Sequence, residues 1–477
     1  MTPPYPIPTN DTDAMGVDGL KSFLRQHLKG DQFSDDPNAL ESYSLDETGV
    51  YKSLPCAVVF PESTAEVGSI LTYCNDNKIP VTPRGAGTGL AANSVPEEGG
   101  LLMILSRMDK ILDIDSSNGI VTVQPGCIVD VLKQEVRKKG WFYPVDPASS
   151  GASLIGGHVN TNASGPHTYK YGSTRRYVMA LEAVLADGTV IRTGSKTEKN
   201  STGYSLSQLL CGSEGTLAVV TEIALKLVPP PRITSTALVS FTSLEDGLNA
   251  ILRLRSSSVN IAAMEWMERA AIEIVAQYEG EFGVVLEPQC ACRLWIEIEA
   301  NDAEAMEREM YALGEVLSDV PTLDILVSDE DATQQRIWKI RRVIGHAVRH
   351  YSVYREVDTV VPVSSMVDLI RIIKDVGNRM GFRTLCYGHA GNGNLHVNVL
   401  REDKNDDQWA KILTDGVETL FTEVIKLGGV LSAEHGIGLL NRPFMALQFD
   451  KAELALMRRI KTAFDPNGIL NPGKVIP

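Results

Sequence analysis

Apolar residues recur at helical spacing over residues 16–29 (GVDGLKSFLRQHLK), which predicts an amphipathic helix near the start of the chain. Ser63-Thr64-Ala65-Glu66 reads as a capping signal for a second helix running to about Asn77. Between them, Leu54 to Phe60 is a short apolar strand ending at a proline. From there to Leu227, strand-like runs alternate with glycine-rich turns and few long helices: LLMIL at 101–105, GIVTVQPG at 119–126, VMALEAVLADGTVIRTG at 178–194 and LAVVTEIALKLV at 217–228. This pattern predicts an α+β module built on compact sheets.

Val228-Pro229-Pro230-Pro231-Arg232 suits neither a helix nor a central strand and marks a domain boundary. In the following module, strand candidates at 235–241, 292–300, 322–328 and 355–362 alternate with amphipathic helices at 244–257, 303–317 and 364–380. Such alternation predicts an antiparallel sheet with helices covering one face. From about Gly429 the chain carries a histidine motif, a helix near 451–463 and a Pro/Gly-rich tail. The expected organisation is therefore 1–230, 231–428 and a C-terminal segment 429–477.

Length and charge narrow the class. A chain of 477 residues, 43% of them hydrophobic, exceeds what one core supports, so two or three domains are expected. A formal charge of -15 opposes non-specific attraction to nucleic acid, so no nucleic-acid partner is expected, and a small anionic ligand would need locally placed cations. The seven cysteines are scattered without the paired spacing of a disulfide framework, as suits a reducing compartment. Cys290 and Cys292 form a lone Cys-x-Cys that could bind metal but, with no second pair nearby, reads rather as two small buried or half-buried thiols in a strand. No apolar run approaches membrane-spanning length and no export signal is evident, so a cytoplasmic protein is expected.

Two groups of motifs carry chemistry. In the first half, Pro83-Arg84-Gly85-Ala86-Gly87-Thr88-Gly89-Leu90 follows a strand-like segment and presents three glycines at alternate positions, a turn able to wrap a pyrophosphate with backbone N–H groups. It is not the dinucleotide fingerprint Gly-x-Gly-x-x-Gly, because the third glycine comes too soon. Further glycine and hydroxyl residues occur at Ser149-Ser150-Gly151-Ala152-Ser153-Leu154-Ile155-Gly156-Gly157, Asn160 to Gly165, and Gly212-Ser213-Glu214-Gly215-Thr216-Leu217. So much glycine and hydroxyl in an apolar chain points to backbone lining a large polar ligand.

The second group lies near the C-terminus: Gly388-His389-Ala390-Gly391-Asn392-Gly393-Asn394-Leu395-His396, then Ala433-Glu434-His435-Gly436. The glycines let the backbone fold back so that His389 and His396 can reach one point, and Glu434 offers a carboxylate to complete a metal triad. A lone histidine at such a site is more often a core residue satisfied by backbone, but three of the chain's eight histidines fall in these two short motifs. Glu434 and His435 cannot both face one site from a regular strand, and Gly429, Gly436 and Gly438 point to a loop.

Taken in order, Pro-Arg-Gly-x-Gly-Thr-Gly, Tyr-Pro-Val-Asp-Pro with Ile-Gly-Gly, Gly-Ser-Glu-Gly-Thr-Leu, Gly-His-x-Gly-x-Gly-Asn-x-His and Glu-His-Gly-Ile-Gly resemble the FAD-linked 2-hydroxy acid dehydrogenases. This is the branch of the vanillyl-alcohol oxidase superfamily containing the glycolate oxidase FAD subunit, D-lactate dehydrogenase and D-2-hydroxyglutarate dehydrogenase. The resemblance runs from about Asp46 to Lys474. It implies an FAD-binding module of two α+β subdomains, completed by the C-terminal segment, and a substrate domain with an antiparallel sheet and covering helices.

Residue by residue, the resemblance implies that Arg84, Gly85, Ala86, Gly87, Thr88 and Gly89 hold the FAD pyrophosphate. Pro147, Ser150, Ser153, Gly156, Gly157 and Asn160 line the flavin, and Gly215 closes over the cofactor. No histidine lies between Arg84 and Ser94, so non-covalent FAD is expected. His389, His396 and Glu434 are implied as ligands of a divalent metal, zinc foremost, with manganese or iron also suited to the mixed donor set. His435 is then the general base, and Arg341, in Trp338-Lys339-Ile340-Arg341, binds the substrate carboxylate.

The implied reaction oxidises a small (R)-2-hydroxy acid to the 2-oxo acid, with hydride going to flavin N5 and electrons to an acceptor protein or quinone; a homodimer is compatible with it. Where the D-2-hydroxyglutarate branch places a threonine four residues after the arginine and a lysine two before an Asp-x-x-x-Pro turn, this chain has Gly345 and Glu356. A glutamate there would repel a second substrate carboxylate, which favours glycolate or D-lactate. Alternatives are a D-2-hydroxyglutarate dehydrogenase, a flavin-holding non-catalytic subunit of a larger oxidase, and a flavin-free metal hydrolase.

Overall fold

The glycine-punctuated strands of the first half form two separate sheets in the computed structural model, which describes residues 14–96, 99–280 and 285–477. One sheet has β1 (Phe33–Ser34), β2 (Ala57–Val59), β3 (Val81–Arg84) and β4 (Leu101–Ile104) in the order β1-β2-β4-β3. β4 runs parallel to both β2 and β3. Parallel strands need a crossover, and the Thr64–Asp76 helix supplies it between β2 and β3. Ser63 caps this helix by accepting from the Glu66 amide, while the Glu66 carboxylate reaches the Glu62 amide at 2.7 Å. The buried side of the helix, Val67, Ile70, Leu71 and Cys74, packs on Val59, Val81, Leu101 and Met103.

The second sheet, β5 (Ile111–Asp115), β6 (Ile120–Val123), β7 (Val178–Val184), β8 (Val190–Gly194) and β9 (Val219–Lys226), is antiparallel throughout, in the order β5-β6-β9-β7-β8. The run at 178–194 is thus a β7–β8 hairpin turning at Gly188, whose φ of +85° suits glycine. The C-terminal tail joins the first sheet: the Val81 amide donates to Ile469 at 2.7 Å and the Asn471 amide to Val81 at 2.8 Å. Both sheets belong to one compact unit, formed by residues up to 164, 173–230 and 434–477.

The other unit holds 165–172 and 231–433. Its sheet has seven antiparallel strands, β10 (Ile233–Phe241), β11 (Ile261–Glu268), β12 (Cys292–Ala300), β13 (Asp324–Ser328), β14 (Tyr354–Val360), β15 (Thr384–Gly388) and β16 (Asn394–Leu400), ordered β13-β10-β12-β11-β15-β16-β14. The expectation of helices on one face is corrected here, because both faces are covered. Leu238, Met267, Trp295 and Leu385 pack with the helices Arg269–Glu279, Asp331–Arg342 and Ile344–Tyr351. Phe241, Trp266 and Cys292, of opposite parity on their strands, meet the Leu244–Arg255 helix at Gly247, where a Cβ would come within 2.5 Å of the Cys292 sulfur. These strand residues are apolar on both faces, so each face demands its own cover.

The second unit also extends past 428. Val430 bridges Val360, and Asp358 Oδ2 accepts from Ser432 Oγ and the Ala433 amide, both at 2.9 Å, which keeps 429–433 on β14. Residues 165–172 join the same unit through Glu297 and Glu299 of β12, which bond His167, Lys170 and Tyr171. All seven cysteines are free thiols, and Cys290 and Cys292 are buried. Among the described residues, no helix is long and apolar enough to cross a membrane.

Candidate functional site

In the first unit, loops from distant parts of the chain converge on one buried carboxylate. Glu214 accepts from Asn93 Nδ2 at 2.5 Å, the Ile437 amide at 2.6 Å and the Gly438 amide at 2.8 Å. Asn471 adds bonds to the carbonyls of Asn93 and Glu214. Burial pushes the Glu214 carboxyl up, and the Ile437, Asn93 and Gly438 hydrogen bonds oppose that rise. The close approach explains two glycines of the Glu-His-Gly-Ile-Gly motif. At Gly438 (φ +51°) a Cβ would lie 1.9 Å from the Ala91 carbonyl oxygen, and at Gly436 (φ +82°) 2.6 Å from Glu214.

Around this staple the structure has the makings of a large polar cradle. Among the described residues, none of the backbone N–H groups of Gly85 to Gly89 donates to a protein acceptor, so five successive donors after β3 remain available. Six buried polar atoms likewise lack a partner: Asp46 Oδ2, Asn93 Oδ1, Ser94 Oγ, His158 Nδ1, Ser213 Oγ and Asn471 Oδ1. Each such orphan costs about 1–3 kcal/mol when left unpaired, which marks the region as built for a ligand. The two glycines after Ile155 differ. A Cβ on Gly156 would strike Pro125 at 2.6 Å, whereas one on Gly157 meets nothing within 4 Å. Gly156 serves helix packing and Gly157 borders open space, as a flat ring system over the helix would require.

Several of the expected cofactor residues act on protein instead. The Arg84 guanidinium donates to the carbonyls of Leu45 (2.8 Å) and Tyr43 (3.3 Å), tying that segment to the glycine loop. Asn160 bonds the Gly156 carbonyl and the Gly215 amide, bracing the Ile155–Thr161 helix against the Gly212–Thr216 turn. Ser153 Oγ lies 3.0 Å from His158 Nε2, and burial pushes that imidazole down to about 3, so it stays neutral. Ala86 is exposed, while Gly85, Gly87, Thr88, Gly89, Pro147 and Ser150 are half-buried and Gly215 is buried. These residues fit FAD through backbone donors and shape more than through charged side chains.

In the second unit the polar residues share one sheet face. His396, Tyr387, Asp358 and Glu356 occupy matched positions on β16, β15 and β14, and Glu265 projects from β11 on the same side. Glu265 is fully buried: its Oε1 lies 2.6 Å from His389 Nδ1, and its Oε2 accepts from Arg341 Nε at 2.7 Å. Glu356 Oε1 lies 3.0 Å from His396 Nδ1. An ionised carboxylate only accepts, so where Glu265 meets His389 the Nδ1 carries the proton and Nε2 keeps its lone pair, the tautomer that binds metals. The imidazole centroids are 5.3 Å apart, with the planes at 81°.

The glycines between the histidines permit this packing. A Cβ on Gly391 would lie 2.7 Å from the Tyr169 ring, and one on Gly393 (φ +80°) 2.1 Å from the Val361 carbonyl oxygen. Arg341 is buried and lies with its guanidinium carbon 5.2 Å from the Tyr387 ring centroid; its Nη2 has no partner. A buried arginine with an unspent N–H is suited to a small carboxylate.

Glu434 and His435 follow Ala433 in the chain and lie in a loop, with Glu434 Oε1 3.8 Å from His435 Nε2; Ser164 Oγ donates to the other Glu434 oxygen at 2.6 Å. Both side chains therefore point the same way, which a strand would forbid. Sequence reasoning missed Glu265, Glu214 and Asp358. The available signal for Glu265 was a charge inside the otherwise apolar stretch 261–267; Glu214 and Asp358 stood in motifs read for their glycines and their turn rather than for their carboxylates. Glu356, read from sequence only as a group near the substrate, also lies beside His396, its Oε1 3.0 Å from Nδ1.

Residues 55–194 match the family described as an FAD binding domain, and 230–475 match the C-terminal domain of FAD linked oxidases. The chain is 34% identical over 450 residues to the glycolate oxidase subunit GlcD of Bacillus subtilis, covering 94% of this chain and 95% of that protein. It is 34% identical over 456 residues to a D-lactate dehydrogenase of Anaerostipes hadrus, covering 94% of each. The structure of 4-ethylphenol oxidase from Gulosibacter chungangensis is similar with a TM-score of 0.79 at 18% identity, over 98% of both chains, a likeness of fold.

Proposed function

Because the chain belongs to the FAD-linked oxidases, we propose that this flavoenzyme is a divalent-metal-dependent dehydrogenase of a small (R)-2-hydroxy acid, glycolate or D-lactate. The product is the 2-oxo acid, and the electrons pass to a protein or quinone acceptor rather than a nicotinamide. The observation that carries the reading is the pair of facing imidazoles, one of them with its Nδ1 anchored by the Glu265 carboxylate, beside an arginine with an unspent N–H.

Bound FAD supplies a hydride acceptor, and a divalent cation supplies positive charge that lowers the pKa of a neighbouring hydroxyl. Backbone N–H groups of Gly85 to Gly89 would hold the pyrophosphate, and Gly157, Pro147 and Ser150 would border the flavin. His389, His396 and Glu434 would hold the cation, for which zinc, manganese or iron suits the donor set. Arg341 fixes the substrate carboxylate. His435 takes the proton of the substrate hydroxyl as the α-hydrogen leaves with its electron pair. Glu356, whose carboxylate lies 3.0 Å from His396 Nδ1, would disfavour an acid with a second carboxylate.

Anaerobic titration of the purified protein, followed by its visible spectrum, tests the proposal. Glycolate or D-lactate should bleach the flavin band, L-lactate should not, and a chelator should abolish the bleaching. His435→Asn should keep bound FAD and metal yet lose reduction at neutral pH by 10²-fold or more, the order expected for a removed general base. A colourless protein, or wild-type reduction rates in that variant, would refute the mechanism.

A further inference from the structure

Glu265 sits where two tasks of the second unit meet, and we infer that it is a positioning residue that couples cation binding at His389 to carboxylate binding at Arg341. This rests on the metal reading above. The side chain is fully buried, its two oxygens are divided between the two partners, and both contacts are short: 2.6 Å to His389 Nδ1 and 2.7 Å to Arg341 Nε.

The division has chemical consequences. By accepting from Nδ1–H, Glu265 selects the tautomer whose Nε2 binds a cation and fixes the ring's rotation; by holding Arg341 at Nε, it leaves the Nη edge of the guanidinium for a ligand. Arg341 is also kept buried by a compensating charge before any anion arrives, which explains how an arginine stays 6% exposed with Nη2 unspent. One carboxylate therefore sets the direction of a metal ligand and of a substrate cation together. Glutamine cannot replace it. The amide oxygen can occupy only one of the two carboxylate oxygen positions, and the amide N–H2 would face the donor at the other, so either His389 or Arg341 loses its anchor.

The test uses the FAD-loaded protein with Mn²⁺ as probe, free Mn²⁺ being followed by electron paramagnetic resonance without substrate. Glu265→Gln should weaken Mn²⁺ binding by about 10- to 100-fold, the range for lost outer-shell partners of metal histidines. It should also raise KM for D-lactate by roughly tenfold, more than it lowers kcat. Arg341→Met, which removes no metal ligand, should itself shift Mn²⁺ affinity at least threefold, because Glu265 loses the partner that orients it. That arm carries the test if Glu265→Gln does not fold. Wild-type Mn²⁺ affinity in Arg341→Met, or in a folded Glu265→Gln, overturns the coupling. A wild-type protein that binds no Mn²⁺ overturns the metal reading itself, and the coupling with it.

Discussion

Asp46→Asn is expected to flatten the dependence of stability on pH between about 4 and 7. Asp46 is buried beneath the glycine loop; Oδ1 accepts from Thr48 Oγ1 and the Thr48 amide, and Oδ2 has no partner. Burial pushes the carboxyl from 3.8 up to about 6, against the opposing pull of the Thr48 bonds, Arg84 and Lys474. A raised carboxyl is protonated more readily in the folded than in the unfolded chain. Well below pH 3.8 both states are neutral and the group costs nothing. Between about 4 and 6 the unfolded state ionises first, so stability falls as pH rises. Above 6 both are ionised and the full loss is present. About two pKa units correspond to about 3 kcal/mol.

Asparagine keeps the Oδ1 acceptor and removes the titration. Urea unfolding of wild type and variant, followed by circular dichroism at pH 4 and pH 7.5, measures the effect. The variant should lie within about 1 kcal/mol of wild type at pH 4 and exceed it by about 3 kcal/mol at pH 7.5, with the change concentrated between 4 and 6. A difference that is the same at both pH values would refute the assignment of a buried, ionising Asp46.

Neighbouring glycines provide a sharper test of the flavin cradle. Gly156→Ala should destabilise the fold by about 1–3 kcal/mol through its clash with Pro125, whereas Gly157→Val should leave the melting temperature of flavin-free protein unchanged and lower FAD retention on gel filtration. Gly438→Ala combines a positive φ with a Cβ 1.9 Å from the Ala91 carbonyl; a loss of about 3 kcal/mol and release of FAD are expected in thermal melts and flavin fluorescence. Glu356→Gln keeps an oxygen beside His396 Nδ1 but removes the charge, so KM for D-2-hydroxyglutarate should fall about tenfold relative to KM for D-lactate, equivalent to about 1.4 kcal/mol, in steady-state assays with both acids.

Sequence by itself determined the elements and the chemistry carried within a few residues. The period-two runs at 119–126 and 178–194 became β6 and the β7–β8 hairpin, and the glycine loop at 85–89 follows its strand with its amides unspent, because strand alternation and φ freedom are local properties. The histidine motif was legible because its histidines and glycines lie close together in the chain, although what the glycines make room for, Tyr169 and Val361, is distant in sequence.

Only the tertiary structure decided what depends on residues far apart in the chain. Helices cover both faces of the seven-stranded sheet because strand order, invisible in the sequence, sets which parity each helix meets. Glu265 finds His389 across 124 residues and Glu214 finds Gly438 across 224. A buried carboxylate is stable only where donors converge on it, and that convergence is a property of the packed fold.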